Sequence, residues 1–416
     1  MTNRHDDDRP RAIDLFAGAG GFSLGLEQAG FDVVAAVEYD AIHAATHLHN
    51  FPRTPIVVDS ASDLTGADIR ERAGLGDRRI ALVVGGPPCQ GFSSSGLRAL
   101  DDPRNRLIAD FVRLAAELGT DYFVFENVKG MTLGHGLPVL RAAIEMAQGL
   151  GYEVVLPFRV LNARDFGVPQ SRERLFVMGY RKGLPPPRYP QAVLETITCA
   201  QAFEGLPDLD AFEELVEGDA VGYDFPVPVG AYARTMRPAS GADWGFGDPR
   251  DWDANRLTAS NRTFHTKEIV ERFARTPEGK PEPVSNFFRL PRNGIANTLR
   301  AGTDAKRGSF TSPRPIHYDS ARCVSVREMA RLHGFPDWFR PNATKAHGAR
   351  QIGNAVPPPL GKAIASCVIE ALGVIPRRPT EVVAMGDEAL VLADMATACR
   401  LLDARNLVGT RTRRAA

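Results

Sequence analysis

The fold is decided by the stretch Ala12-Ile13-Asp14-Leu15-Phe16-Ala17-Gly18-Ala19-Gly20-Gly21-Phe22. The apolar run at 12–16 predicts a buried strand, and the apolar spacing over 22–28 predicts a helix that Gly30 ends. A strand, a glycine-rich turn and a helix in this order are typical of the first unit of a nucleotide-binding sheet. We therefore expect a ligand to lie against the turn, with a plain tight turn as the alternative.

Strand-like and helical runs continue to alternate after this unit. Strands are predicted at 33–37, 56–58, 80–84, 122–125, 154–160 and 175–180, and helices at 41–49, 107–118 and 137–148. This alternation predicts an α/β fold with a doubly wound, Rossmann-like sheet, in which ligands collect at the carboxyl ends of the strands.

A proline-rich segment at 183–190 interrupts the alternation, and the loop-rich sequence after it predicts a second, smaller domain. Helical spacing returns at 325–332, at 360–372 and near 389–402. The predicted organisation is a disordered start (1–10), a ligand-binding catalytic domain (11–182), a second domain (183–320), a return to the first domain (321–375) and a C-terminal extension (376–416).

Composition places the chain among ordinary globular proteins. It has 416 residues, of which 44% are hydrophobic and 24% charged. The five cysteines are widely spaced and include no Cys-x-x-Cys pair, which favours a reducing cytoplasm and argues against a disulfide framework or a zinc site. Since no apolar run approaches the ~18 residues of a membrane span and the polar start does not resemble a signal peptide, we expect a soluble cytoplasmic protein without a metal.

The formal net charge is zero, but the charges are unevenly distributed. Residues 195–224 contain nine acidic side chains and no Lys or Arg, whereas residues 256–314 contain twelve Lys and Arg against five Asp and Glu. The basic segment favours a groove for nucleic-acid phosphates. A solvated surface with chance clustering is the alternative.

A candidate nucleophile lies after the strand at 80–84, in the run Gly85-Gly86-Pro87-Pro88-Cys89-Gln90-Gly91-Phe92-Ser93. The two prolines restrict the backbone before Cys89, and the small residues after it allow a planar substrate to approach closely. Because catalytic groups favour strand ends, we predict that Cys89 is a nucleophile. The alternative is a buried, unreactive cysteine, which is the usual role of an isolated one.

Acidic residues end the next two predicted strands. Glu38 follows Gly20 by eighteen residues, a spacing typical of the carboxylate that binds a ribose in nucleotide sites. The turn lacks the Lys-Ser/Thr ending of a P-loop, so a cofactor with an adenosine moiety is expected rather than a triphosphate. Tyr39 is a candidate to stack on adenine and Asp59 to accept a hydrogen bond from it, although both also fit a structural role.

A carboxylate and two arginines complete the set of candidates. Glu126 ends the strand at 122–125 and would lie beside the Cys89 loop if the two strands are neighbours. Burial would favour its protonated form, which can donate to a ring nitrogen, whereas a helix cap or an ion pair is the alternative. Arg172 and Arg174 alternate to one side, so they could hold a carbonyl oxygen and a phosphate, or form a surface cluster with Glu173.

In this order the motifs resemble those of the bacterial-type, S-adenosylmethionine-dependent DNA (cytosine-5) methyltransferases. The resemblance rests on residues 14–21, Pro87-Pro88-Cys89-Gln90, Glu126-Asn127-Val128, Gln170-x-Arg172-x-Arg174, Arg327-Glu328 with Arg331 through Gly334-Phe335-Pro336, and residues 353–357. Each motif alone is modest, whereas the ordered set is specific. The resemblance implies a Rossmann-like methyltransferase sheet with a loop-rich target-recognition domain at 183–320.

The resemblance also implies a role for each candidate residue. Cys89 would attack C6 of cytosine, after which C5 would take the methyl group. Glu126 would protonate or hydrogen-bond N3, and Arg174, supported by Arg172, would hold O2. The cofactor pocket would be formed by Phe16, Ala17, Gly18, Ala19, Gly20, Gly21, Phe22, Glu38, Tyr39, Asp59, Leu107, Asn354 and Val356, and DNA would be contacted by Gln90, Ser93 and Thr298.

The implied activity is methylation of C5 of a flipped-out cytosine in a short duplex sequence. Methylation of transfer RNA and a catalytically inactive DNA-binding relative are the alternatives. The long region at 183–320 favours double-stranded DNA, and the presence of Cys89, Glu126 and Arg174 argues against an inactive protein. We expect a monomer that associates with the nucleoid, and a companion restriction endonuclease is a candidate partner.

Overall fold

A mostly parallel sheet forms the centre of the protein. The computed structural model describes residues 9–88, 105–134, 136–193, 195–238, 245–302 and 313–408. The strands of the sheet are β1 (Arg11–Leu15), β2 (Asp32–Glu38), β3 (Ile56–Val58), β4 (Leu82–Gly85), β5 (Tyr122–Val128), β6 (Tyr152–Val154), β7 (Arg159–Asn162) and β8 (Glu173–Arg181). Their order is β3-β2-β1-β4-β5-β8-β6, and β7 also pairs with β8. Strands β1 to β5 are parallel, whereas β8 is antiparallel to its three partners.

Helices cover both faces of this sheet. The helices are α1 (Gly21–Ala29), α2 (Ala41–Asn50), α3 (Gly66–Arg72), α4 (Arg106–Glu117), α5 (Gly136–Gly149), α6 (Cys199–Phe203), α7 (Ala231–Met236), α8 (Lys267–Arg275), α9 (Val326–His333), α10 (Lys345–Asn354), α11 (Pro358–Leu372), α12 (Ala389–Leu392) and α13 (Met395–Leu401). One face packs against α3, α4 and α5, and the other against α1 and α11. The doubly wound α/β fold is confirmed.

The strands contribute alternate residues to the two cores. Val83 of β4 lies in the core shared with α3, α4 and α5, whereas its neighbours Leu82 and Val84 lie in the core shared with α1 and α11. This two-residue period is that of a strand buried on both faces. Helices α1 and α11 pack closely, since a Cβ on Gly25 would lie 2.7 Å from the backbone nitrogen of Lys362.

Most predicted elements are confirmed within two or three residues, with five differences in the sheet domain and the C-terminal extension. Helices α3 and α10 were not predicted. The extended run expected at 154–160 is divided into β6 and β7, and the helix expected at 389–402 is divided into α12 and α13. Glu126 lies within β5, two residues before its end.

The loop-rich region contains short elements. Strand β9 (Val221–Gly222) pairs antiparallel with β11 (Arg256–Leu257), and β10 (Arg250–Asp251) pairs in parallel with β12 (Val383–Ala384) of the C-terminal extension. Helices α12 and α13 of that extension pack on α2. The chain contacts the sheet domain before the predicted return at 321, because Ala296 already pairs with Gln170.

Within the described ranges, no helix combines the length and the apolar character that crossing a bilayer requires.

Candidate active site and cofactor pocket

The turn between β1 and α1 has an unusual backbone. Phe16 has φ +60°, and Gly18 and Gly20 have φ +57° and +104°. A positive φ at a bulky residue is strained, and such strain clusters at functional sites. Gly20 is the N-cap of α1 and makes no side-chain cap. The first N–H groups of the helix therefore have no side-chain cap at this position, and the helix dipole favours negative charge there.

The glycines give this turn close packing on two sides and space on a third. A Cβ on Gly21 would lie 2.5 Å from the carbonyl oxygen of Val356, and one on Gly20 would lie 2.2 Å from Cε2 of Phe51. A Cβ on Gly18 would meet no described atom within 4 Å. The open side next to Gly18 fits a cofactor that lies against the backbone.

Glu38 binds the turn that it was predicted to adjoin. Its Oε2 accepts a hydrogen bond from the Gly18 N–H at 2.7 Å, and its Oε1 accepts one from the Asp40 N–H at 2.9 Å. Burial raises the pKa of Glu38. The carboxylate holds the turn against the end of β2, and each oxygen keeps acceptor capacity for a ligand hydroxyl.

Tyr39 and Asp59 follow the ends of β2 and β3. Tyr39 is exposed, whereas Asp59 is half-buried. The Asp59 carboxylate accepts hydrogen bonds from Arg72 at 2.8 Å and from the Ser60 N–H at 2.9 Å. The Asp59 N–H donates to the carbonyl oxygen of Glu38 at 3.2 Å, so the two strand ends adjoin. Asp59 therefore lies next to Glu38 where β2 and β3 end, and Tyr39 directly follows Glu38 in the chain.

The remaining predicted pocket residues come from several elements. Asn354 is exposed at the end of α10, and Leu107 is half-buried in the first turn of α4. The ring of Phe22 packs in the core, 6.5 Å from that of Phe176. Ala17 and Ala19 are buried within the turn.

Glu126 lies beside the loop that leads to Cys89. Strands β4 and β5 are parallel neighbours, as the prediction required. A Cβ on Gly86 would lie 3.1 Å from Oε2 of Glu126, while Oε1 of Glu126 is 2.8 Å from Nε of Arg174. Both side chains are largely shielded from solvent. Cys89, Gln90 and Ser93 lie outside the described residues.

Asn127 anchors the same loop, a contact that sequence reasoning missed. Its Nδ2 donates to the carbonyl oxygen of Pro87 at 3.1 Å, and its Oδ1 accepts from the Val128 N–H at 2.8 Å. The side chain is buried. The signal was an amide side chain next to Glu126 in a strand that is otherwise apolar. Asn127 thus fixes the backbone two residues before Cys89.

Three of the four described cysteines have environments unsuited to a nucleophile. Burial raises the pKa of Cys199 to about 12 and those of Cys323 and Cys367 to about 11. A thiol with so high a pKa carries little thiolate at neutral pH. Cys399 is half-buried, with its sulfur 4.0 Å from that of Met395.

The structure gives Arg172 a different position from the one expected. Its guanidinium is buried and donates to the carbonyl oxygens of Leu299 at 3.1 Å, Gly353 at 2.9 Å and Ala355 at 3.2 Å. Burial lowers its pKa to about 9. Through these bonds from its two Nη atoms, Arg172 joins three chain segments. Of the expected arginine pair, Arg174 is the one that contacts Glu126.

Gln170 extends this junction. It is fully buried, its Oε1 accepts from the Leu299 N–H at 3.0 Å, and its Nε2 donates to Nδ1 of His333 at 2.9 Å. The other ring nitrogen of His333 donates to the carbonyl oxygen of Ala355 at 2.9 Å. The hydroxyl of Thr298 donates to the carbonyl oxygen of Ser171 at 2.7 Å. The predicted DNA contact Thr298 is therefore bonded to the segment that directly precedes β8.

Many arginines of the basic segment at 256–314 that lie in the described part of the chain are engaged within the protein. Among the described residues, five of its arginines form ion pairs, namely Arg256 with Glu388, Arg262 with Asp210, Arg272 with Glu282, Arg275 with Glu271 and Arg292 with Asp319. Arg289 and Arg314 donate to backbone carbonyl oxygens instead. Three of these ion pairs have their acidic partner outside the segment, namely Glu388, Asp210 and Asp319, and these reduce its excess of positive charge.

A second buried polar group, also missed from sequence, lies behind the glycine turn. The hydroxyl of Ser23 donates to Oδ2 of Asp14 at 2.7 Å and lies 3.0 Å from Nε2 of His47. Burial raises the pKa of Asp14 to about 7 and lowers that of His47 to about 3. These bonds join β1, α1 and α2 around the turn.

The sheet order, the glycine turn with its carboxylate and Glu126 beside the β4 loop define a Rossmann-like enzyme with a nucleoside-type cofactor. Residues 11–370 match the family described as C-5 cytosine-specific DNA methylase, and the chain belongs to this family. It is a DNA cytosine-5 methyltransferase that uses S-adenosylmethionine as the methyl donor.

Several relatives support this assignment over nearly the whole chain. The chain is 50% identical to the Type II methyltransferase M.XorII of Xanthomonas oryzae pv. oryzae over 406 residues, which are 98% of this chain and 95% of that protein. It is 32% identical to the Type II methyltransferase M1.HphI of Haemophilus parahaemolyticus, with 86% of each chain covered. The crystal structure of a putative DNA modification methyltransferase from an E. coli prophage matches 88% of this chain and 99% of its own, with 32% identity and a TM-score of 0.73.

Proposed function

We propose that Cys89 is the nucleophile of this methyltransferase, that Glu126 acts on N3 of the target cytosine and that Arg174 holds its O2. The observation that carries the proposal is the position of Glu126, which adjoins both Gly86 in the loop leading to Cys89 and the guanidinium of Arg174. The observed contact is the ion pair that was the alternative for Glu126, and an ionised carboxylate only accepts hydrogen bonds. We propose that Glu126 takes up a proton when the cytosine binds, so that it can donate to the ring nitrogen while Arg174 donates to the carbonyl oxygen.

In the proposed reaction the Cys89 thiolate forms a bond to C6 of cytosine. Protonation or hydrogen bonding of N3 by Glu126 accepts the electron density displaced from the ring, so that C5 becomes nucleophilic. S-adenosylmethionine supplies an electrophilic methyl group to C5. S-adenosylhomocysteine is the leaving group of that transfer. A base then takes the C5 proton, and the electron pair of the C5–H bond re-forms the C5–C6 double bond as the C6–S bond breaks and returns the thiolate. Because C6 is inaccessible in a stacked duplex, the base must be flipped out, at a cost of a few kcal/mol.

For the cofactor, we propose that the turn and its neighbours hold S-adenosylmethionine against the open side of Gly18. Glu38 would accept hydrogen bonds from the ribose hydroxyls, Asp59 would bind the adenine and Tyr39 would stack on it. The backbone of residues 16–22 would contact the methionine part, with Leu107, Asn354 and Val356 completing the pocket. Asn127 would act as a positioning residue by fixing the Cys89 loop relative to Glu126.

The test of the nucleophile compares Cys89→Ala with Cys399→Ala. We expect Cys89→Ala to abolish transfer of labelled methyl groups to DNA while binding to duplex DNA persists, and we expect Cys399→Ala to remain active. Glu126→Gln should lower kcat by about 10²- to 10⁴-fold, because it removes the proton donor. An active Cys89→Ala enzyme would refute the covalent mechanism.

We also propose that residues 183–320 recognise the target sequence, that the enzyme is monomeric and associated with the nucleoid, and that a restriction endonuclease accompanies it. The relatives named as Type II methyltransferases support the last of these. Light scattering of the purified enzyme tests the monomer. Bisulfite sequencing of DNA from cells expressing it identifies the methylated cytosine, and cleavage of unmethylated DNA by lysates of the source strain tests for the nuclease.

A further inference from the structure

The side chains of three basic residues in the segment at 256–314 have no hydrogen-bond or ion-pair partner among the described residues. Ion pairs or backbone carbonyl oxygens engage seven of the other basic residues, and Lys306 and Arg307 lie outside the described residues. The three are Lys267, Lys280 and Arg300, and all are exposed. An exposed cation without a partner is the kind of group that can neutralise a DNA phosphate.

Arg300 differs from the two lysines in the rigidity of its support. It directly follows Leu299, whose N–H is bonded by buried Gln170 and whose carbonyl oxygen is bonded by buried Arg172. Thr298 is tied to β8 through Ser171. These bonds fix the backbone on which the Arg300 side chain is carried.

Arg300 also lies beside the proposed cofactor pocket. A Cβ on Gly353 would lie 2.7 Å from the carbonyl carbon of Arg300, so the Arg300 backbone packs against the last turn of α10. The next residue in that turn is the exposed pocket residue Asn354. Lys267 lies in the first turn of α8, and Lys280 lies in a hairpin with Arg289.

We infer that Arg300 contacts a phosphate of the target DNA strand and positions the duplex over the active site. The inference rests on the proposed function. Because its backbone is fixed, Arg300 loses less backbone freedom on binding than a residue on an unsupported loop, and its guanidinium can bind a phosphate through two N–H groups. Arg300 is therefore a substrate-positioning residue, and Lys267 and Lys280 are not required for its contact.

The experiment compares Arg300→Gln, Arg300→Lys and the matched control Lys280→Gln. Each variant is titrated with a labelled mixed-sequence duplex between about 50 and 200 mM salt, and methyl transfer is measured on genomic DNA that lacks cytosine-5 methylation. Arg300→Gln should weaken binding roughly tenfold and reduce the slope of log K against log salt by about 0.9, the value for one phosphate contact. Its KM for DNA should rise, whereas kcat at saturating DNA should stay within about twofold, since a phosphate contact made equally in the ground and transition states affects only binding.

Arg300→Lys should keep the salt slope because it keeps the charge, and Lys280→Gln should match the wild-type enzyme. An unchanged slope in Arg300→Gln, an equal loss in Lys280→Gln, or a loss of kcat without a loss of binding would overturn the inference. Equal thermal unfolding midpoints for all variants exclude misfolding as the cause. If the wild-type enzyme binds duplex DNA and the Cys89→Ala variant still transfers methyl groups, only the proposed mechanism is contradicted. The failure of the proposed mechanism and the failure of the Arg300 inference are therefore distinguishable.

Discussion

In the central sheet, backbone N–H and C=O groups bond strand to strand, and both faces of the strands are apolar. In the loop-rich region at 195–299, the helices have five to nine residues and the strands two. There, arginine side chains satisfy many of the carbonyl oxygens. Arg289 alone donates to those of Phe273, Ala274, Thr276 and Tyr318.

The difference shows two ways of burying a polypeptide backbone. Regular secondary structure pairs each backbone donor with a backbone acceptor, so the side chains are free to be apolar. An irregular chain leaves carbonyl oxygens unpaired, and the five N–H donors of an arginine can reach several of them at once. The loop-rich region should therefore depend on a few charged side chains, and the sheet on the fit of its apolar ones.

Removal of a buried arginine should have the largest effect on stability. Arg331 is fully buried, pairs with Asp337 at 2.7 and 2.8 Å, and donates to the carbonyl oxygens of Ala202 and Glu204. Arg331→Ala should lower the free energy of unfolding by about 3–5 kcal/mol, because the buried carboxylate of Asp337 then loses a large part of the positive charge that stabilises it. Urea denaturation followed by circular dichroism measures the change. A loss below about 1 kcal/mol would show that the loop-rich region does not rely on this arginine.

The second prediction compares two strand glycines. A Cβ on Gly179 of β8 would lie 2.1 Å from Cζ of Phe123, whose ring is enclosed by Phe111 and Tyr152, whereas a Cβ on Gly222 of β9 would meet nothing within 4 Å. Gly179→Ala should cost about 1–3 kcal/mol through overpacking. Gly222→Ala should be neutral or stabilise the protein by about 0.4–1 kcal/mol, since it reduces the freedom of the unfolded chain. Equal effects in urea denaturation would contradict the contrast in packing.

The third prediction concerns buried carboxyl groups. The pKa of Asp14 is raised from 3.8 to about 7 by burial, whereas Arg322 holds the pKa of Glu328 at about 2 despite burial. The folded state therefore binds the Asp14 proton more tightly than the unfolded state does. The stability from Asp14 is present below about pH 4 and is lost as the pH rises through about 7, with a slope of at most about 1.4 kcal/mol per pH unit. For Glu328 the stability is present above about pH 4.5 and is lost as the pH falls towards 2.

The measurement is the free energy of unfolding against pH for the wild type, Asp14→Asn and Glu328→Gln. The difference between wild type and variant is used because His47, whose pKa is lowered to about 3, opposes Asp14 over the same pH range. The free energy of unfolding of Asp14→Asn, relative to the wild type, should change between about pH 4 and 7. That of Glu328→Gln, relative to the wild type, should change below about pH 4.5. A change in the same pH range for both variants would contradict the assigned causes.

The sequence predicts the sheet well because its signals are local. Strand β3 was predicted at its observed bounds, since a β-branched run between polar residues is sufficient. Helix α3 was missed although its capping signal is present, with Thr65 and Asp68 forming reciprocal hydrogen bonds. Helix α10 contains Gly348, which lowers helix propensity but allows close approach, because a Cβ there would lie 2.7 Å from the carbonyl oxygen of Asn342.

The site was predicted where motifs are local and missed where partners are remote. Glu126 lies beside the loop that leads to Cys89 because β4 and β5 are parallel neighbours, which was the condition stated from the sequence. Its contact with Arg174 follows from the antiparallel pairing of β5 with β8, which the sequence did not predict. The position of Arg172 depends on carbonyl oxygens at residues 299, 353 and 355, more than a hundred residues away. Neither the type nor the spacing of residues near Arg172 carries that information.

The smallest effect is expected at an exposed ion pair of the loop-rich region. Arg256 lies 2.9 Å from Glu388, and both side chains are about two-fifths exposed, at 43% and 42%. Arg256→Gln should change the free energy of unfolding by less than about 1 kcal/mol, because solvent screens the pair and holding two long side chains costs entropy. It should also leave the salt dependence of DNA binding unchanged, since Glu388 already neutralises this charge. Urea denaturation and the duplex titration measure both quantities in one variant. A loss comparable to that of Arg331→Ala would show that exposed and buried arginines contribute alike, and the contrast between the two regions would then lie in the number of arginines rather than in their burial.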